Sequence, residues 1–238
     1  LIAACATGPG CSSDVEQPEP DLGARLEADT KVRWVVGKDE RSGEIRYLAP
    51  ERPVRVTRSS DATPEETARA FFDRYRDALH GTGKPDELRP VPLVVEDDGS
   101  TRVRFQHYLP GTEIPVLDAA STALFTADGE LYWSQPGFRA DLSQVPATPV
   151  ITKEMARDVG RSFATHLCKA AESEVEAGEP TLVVRADEDA PALLVWRVQT
   201  TARTDECFAP EILIDASNGD LAGIRETAES IWDRAGGV

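Results

Sequence analysis

The sequence predicts an α+β fold of two modules, each a helix packed on an antiparallel sheet. Three observations carry this. Between Thr101 and Leu109, Val103, Phe105, His107 and Leu109 alternate with Arg102, Arg104 and Gln106, the period of a half-buried strand. Upstream, Ala68, Phe71, Phe72, Tyr75 and Leu79 recur at helical spacing. From residue 152 to 226 a second helix-then-strands order follows with different residues.

Size and charge narrow the field. A chain of 238 residues holds one or two domains at roughly 100–200 residues each. With 40% hydrophobic and 29% charged residues it belongs with globular chains. A formal charge of −16 argues against a nucleic-acid partner, because phosphate binding rests on Lys and Arg. Anionic membrane surfaces are disfavoured for the same reason, leaving a lipid anchor as the expected membrane contact.

Leu1 to Cys5 (LIAAC) reads as the end of an apolar export signal. Ile2-Ala3-Ala4-Cys5 fits a bacterial lipoprotein signal with Cys5 as the lipidated residue; Gly10-Cys11-Ser12-Ser13 is the alternative, with Cys11 in that role. An ordinary secretory signal remnant is the third reading. Asp14 to Thr30 is acidic, with Pro18 and Pro20, and reads as a solvated tether, so residues 1–30 form a signal remnant and linker.

The first module is expected over residues 31–140. Lys31–Val36 and Gly43–Leu48 form a hairpin of two short strands. Thr63-Pro64-Glu65-Glu66 starts a helix: Thr63 caps, Pro64 suits the first turn, and Glu66 completes a capping box. Gly81 ends that helix. Val91–Glu96 is a further strand, ahead of the meander. After Pro110-Gly111 and Ile114-Pro115-Val116, a strand over Thr122–Thr126 meets Asp128-Gly129, a two-residue turn signal of type I′. Glu130–Ser134 follows, with Leu131 and Trp133 on one face.

Residues 141–151, with Pro146 and Pro149, read as a linker. Thr152 caps a second helix whose apolar face is Met155, Val159, Phe163 and Leu167, with Gly160 a weak point of about 1 kcal/mol relative to Ala. Strands follow at Thr181–Arg185, Leu193–Thr200, Glu211–Asp215 and Leu221–Arg225, the last two joined by a turn at Ser217–Asp220. Residues 227–238 form a polar C-terminal segment.

No catalytic or metal constellation emerges. The chain has no HExxH, the pairing of two His and a Glu base that a thermolysin-type zinc site needs. His80, His107 and His166 are far apart, and His107 reads as a hydrogen-bonded core residue. Gly81-Thr82-Gly83-Lys84 lacks the first glycine and the Ser/Thr of a phosphate loop, with Ala78 and Pro85 in those places. No cofactor is implied, and the chain is expected to be non-enzymatic. Cys168 and Cys207 are candidates for a disulfide closing a loop of about 40 residues, or for two reduced thiols.

Val103-Arg104-Phe105-Gln106, then Gly111, then Ile114-Pro115-Val116, a strand and a DG turn resemble the fungalysin/thermolysin propeptide (FTP) domain of secreted metalloproteases. Where that family tends to carry a glycine pair, this chain has Leu117-Asp118. Ala192–Val198 with Ile212–Gly219 (ALLVWRV, ILIDASNG) resembles a PepSY domain, here over residues 152–226. Together the likenesses imply the pro-region of a thermolysin-like metalloprotease, a folding aid and inhibitor of the catalytic domain. Ile231, Trp232 and Arg234 would be the inhibitory contacts near the processing junction. The alternative is a free-standing exported lipoprotein that uses the same modules as a protease inhibitor or binding module in trans.

Overall fold

The computed structural model describes residues 21–41, 43–56, 61–80, 87–137, 142–187, 190–202 and 210–226. The fold is α+β, with helices on a curled, mostly antiparallel sheet. The tether reading is corrected at its end. Residues Leu22–Thr30 form helix α1, capped by Asp21, whose carboxylate accepts the Gly23 N–H. Leu22 and Leu26, four apart, are its buried stripe. Trp34 Nε1 donates to Thr30 Oγ1, fixing α1 to β1 (Trp34–Lys38). β1 pairs antiparallel with β2 (Ile45–Pro50), the expected hairpin displaced two to three residues along the chain.

The predicted capping box is present at α2 (Pro64–Arg74): Thr63 Oγ1 accepts the Glu66 N–H, and the Glu66 carboxylate accepts the Thr63 N–H. The bonds this carboxylate accepts, from the Thr63 N–H and then the Thr63 hydroxyl, hold the Glu66 carboxyl below its usual pKa range. The single expected helix is broken at Tyr75, and α3 (Arg76–His80) continues it. Phe71, Phe72 and Tyr75 are buried as expected; Phe72 meets Phe105 edge-on, and Trp34 stacks on Phe71. Burial, then a hydrogen bond to Asp29, pushes the Tyr75 phenol pKa up.

The meander forms from β5 (Thr101–Tyr108), β6 (Pro115–Phe125) and β7 (Leu131–Gln135). Of the strand expected at Val91–Glu96 only β4 (Val94–Val95) forms; a separate strand, β3 (Glu87–Pro90), precedes it, and both pair with β5. The Asp128-Gly129 turn differs in type. Gly129 alone has positive φ there (74°), and its N–H bonds to Thr126 O, the geometry of a type I turn closed by a left-handed glycine. A register shift at Leu124/Phe125 then separates Leu131 from Trp133: Leu131 is buried and Trp133 half-buried.

The second half holds α4 (Lys153–Cys168), β8 (Val175–Ala177), β9 (Thr181–Arg185), β10 (Leu193–Ala202), β11 (Pro210–Asp215) and β12 (Leu221–Glu226). The expected linker is anchored: Leu142, Val145 and Ile151 are buried, and the N–H groups of Val150 and Ile151 both donate to Ala216 O. The α4 face is also corrected. Ala156, Gly160, Ala164 and Cys168 face the sheet, one position round from the expected stripe, leaving Met155 and Leu167 about half exposed (53% and 46%). Small residues win that face because the helix lies close: a Cβ on Gly160 would stand 2.9 Å from Val198 Cγ1.

Two cores result. One gathers α1, α2, β5 and the end of β6 around Phe72, Phe105 and Phe125. The other lies under α4 around Trp196, Ile212 and Ile214, and takes in Leu109, Ile114 and Val116 from the first half. Strand order is β1-β2-β7-β6-β9-β10-β11-β12, with β6 and β9 parallel where the halves meet.

The close contact at Gly160 predicts a sign reversal. Gly160→Ala lowers stability in the native background, because overpacking costs about 1–3 kcal/mol against a helix-propensity gain of about 1 kcal/mol. In a Val198→Ala background, the same change raises stability. Urea unfolding of the four proteins of this cycle reads both signs.

Candidate functional site

The two halves are joined by one excursion of β6. Gln106 of β5 pairs with Ala120, and Tyr108 pairs with Pro115. Two steps along β5 therefore match five along β6, and residues 116–119 bulge away from their partner. The bulge lets Val116 pair with Val184 of β9 instead. Its carbonyls would lack ladder partners, a penalty that a side chain removes. Gln106 Nε2 lies 2.7 Å from Val116 O, 3.0 Å from Ala119 O and 3.2 Å from His107 O.

The other motif residues lie along β5, the turn after it and the start of β6. Val103 and Phe105 point into the first core, and Arg104 is exposed on the opposite face. Gly111 has φ 73° and donates its N–H to Glu87 Oε2. That bond, then Arg89, holds the Glu87 carboxyl below its usual range. Ile114 and Val116 point into the second core, and Pro115 opens β6 between them. Asp118 has φ 56°, a left-handed conformation that costs a non-glycine residue roughly 1–2 kcal/mol. This is where the resembled family tends to place glycine.

Asp118 has a second role. Its carboxylate pairs with Arg225 of β12 at 2.8 and 3.0 Å, across 107 residues of chain. Arg225 Nη1 also donates to Glu211 Oε1 at 3.2 Å, and Glu211 is buried. Beneath this network Leu117 and Ala222 pack on Val183, Val195 and Leu213, which cover the sheet face opposite α4. Asp118, Glu211 and Arg225 carried no motif signal in the sequence, because the fold alone brings them together.

His107 is fully buried, with Nε2 2.8 Å from Ser121 Oγ, which also accepts the Gly137 N–H. It is the hydrogen-bonded core residue the strand pattern predicts. Among the described residues no three His, Cys, Asp or Glu side chains are grouped to hold a metal ion, and no helix is long and apolar enough to cross a membrane. Cys168 is buried and disulfide-bonded. Cys5, Cys11, Cys207, Ile231, Trp232 and Arg234 lie outside the described residues.

No family model matches the chain, and no curated protein matches it. Among solved structures it is similar to the Bacillus megaterium YpeB C-terminal domain, at 13% identity over 83% of this chain and 78% of that one, with a TM-score of 0.36.

The ionic network predicts unequal losses. Asp118→Asn keeps a residue tolerant of the left-handed conformation and removes an exposed ion pair, costing under about 1 kcal/mol. Arg225→Ala leaves buried Glu211 without this partner and costs about 1–3 kcal/mol. Thermal or denaturant unfolding of the two variants checks the order.

Proposed function

We propose that this chain is the pro-region of an exported zinc metalloprotease of the thermolysin type, acting on its catalytic domain as folding aid and inhibitor and performing no catalysis itself. One observation carries the reading. Of the residues on which the family resemblance rests, Val103 and Phe105 enter the first core, Ile114 and Val116 enter the second, and Gln106 bonds the bulge between them, while Arg104 is exposed. The Cys168 disulfide adds support for an exported chain, since such bonds persist in oxidising compartments. In this reading its partner is Cys207, a closure worth roughly 3–4 kcal/mol on the chain-entropy estimate.

The inhibitory logic needs no reactive side chain. β12 ends at Glu226, and Ile231, Trp232 and Arg234 follow within eight residues. An extended segment there would occupy a protease groove as a product does, while the two modules grip the enzyme surface. The Ile2-Ala3-Ala4-Cys5 pattern favours a second reading, a lipid-anchored protein acting on a protease in trans. Both place the protein in the bacterial cell envelope or outside it.

The test uses a denatured thermolysin-type catalytic domain, refolded with and without equimolar purified chain. The expected result is a higher yield of folded protease that stays inhibited until the chain is digested. Equal yields, together with full protease activity in its presence, would overturn both readings. Mass spectrometry of the native protein for a lipid on Cys5 or Cys11 separates them.

A further inference from the structure

The ILIDASNG run contains an acid that the proposed function leaves unused. Asp215, at the end of β11, is half-buried. Its Oδ1 accepts from the Ser217 N–H at 2.7 Å and from the Ser217 hydroxyl at 2.6 Å, which holds the turn into β12. Its other oxygen, Oδ2, has no partner among the described residues.

Asp215 is one of the residues lining a cleft of about 180 Å³ between the anchored segment 144–150 and the start of β10. Pro146, Val150, Leu193 and Leu194 form apolar walls, Ser217 completes the polar end, and Asp215 is the one charged residue of the lining. Val150 (76%) and Leu193 (37%) stay exposed at the mouth, a contact surface that extends past the cleft itself.

We propose that this cleft binds one arginine or lysine side chain of a partner protein. Three physical points select that occupant. The cleft is below the roughly 300–1,000 Å³ of sites for drug-sized molecules, so it takes a single side chain. A long aliphatic stem with a charged head matches apolar walls that end in a carboxylate, whereas a neutral apolar side chain would desolvate Oδ2 without bonding it. The chain's net charge of −16 draws cationic partners, and Asp215 is the only charged residue of the lining. A free small cation would leave the exposed walls at Val150 and Leu193 uncovered. The inference stands on the cleft and is independent of the pro-region reading; a chain that leaves every protease untouched could still bind this way.

The test is a titration of the nitrogen-15-labelled protein with the peptide Ac-Ala-Ala-Arg-Ala-Ala-amide. The expected result is saturable shifts confined to amides of residues 150, 193–194 and 215–217, with affinity falling in high salt. The peptide with norleucine in place of arginine should bind about tenfold more weakly, a difference of roughly 1.4 kcal/mol. Asp215→Asn keeps the oxygen that accepts from Ser217 and removes the charge, so it should bring the arginine peptide down to the norleucine level. Leu193→Ser, at the exposed wall, should weaken both peptides together. Equal binding of the two peptides, shifts unchanged by Asp215→Asn, no saturable shifts, or spermidine binding as tightly as the peptide would each overturn the proposal.

Discussion

A bulge in one strand, with two of its carbonyls held by one glutamine, sets the architecture. At residues 116–119 β6 leaves its register with β5, and there Val116 pairs with Val184 of β9. The bulge turns carbonyls away from the ladder, and buried carbonyls without partners are costly. Gln106, with one amide nitrogen in reach of Val116 O, Ala119 O and His107 O, makes the excursion affordable. One sheet therefore runs through both halves, and Leu109, Ile114 and Val116 from the first half finish the core of the second. A boundary drawn at residue 140 divides the sequence but not the packing.

The same joint explains two features that look unfavourable locally. Asp118 adopts a backbone conformation better suited to glycine, yet only a carboxylate there completes the bridge to Arg225 and, through it, Glu211. Gly160 lowers the intrinsic helicity of α4, yet a side chain at that position would collide with Val198 and lift the helix from β10. In both places tertiary contact decides against local propensity. The ionic bridge is exposed on the Asp118 side and so contributes little to stability. Its effect is to fix where β12 lies relative to the kink in β6.

How much was legible from sequence follows from how local each signal is. The alternation from Val103 to Leu109 held completely, because burial on one face of one strand determines it. The capping box at Thr63 held because all its partners lie within four residues. Helix α1 has little signature in the sequence, since two leucines amid polar residues give only a weak period. The α4 face lies one position from the stripe of large apolar residues, because close packing favours alanine and glycine, which carry little weight in a hydrophobic pattern. The meeting of Asp118, Glu211 and Arg225 had no sequence signature, being a product of the sheet's curl. The motif residues were legible as a group, but their shared task at the bulge became visible only with strand register.

Hydrogen exchange of the intact protein and its Gln106→Leu variant tests the central claim most directly, namely that the Gln106-held bulge makes two cores into one cooperative unit. The account predicts that the native protein loses protection in β5 and β10 together in one unfolding transition. In the variant, β10 and β11 should retain protection under conditions where β5 and β6 have lost it, so that two transitions replace one. A variant that still unfolds as a single unit, with β5 and β10 exchanging together at the native midpoint, would contradict the account and place the coupling elsewhere.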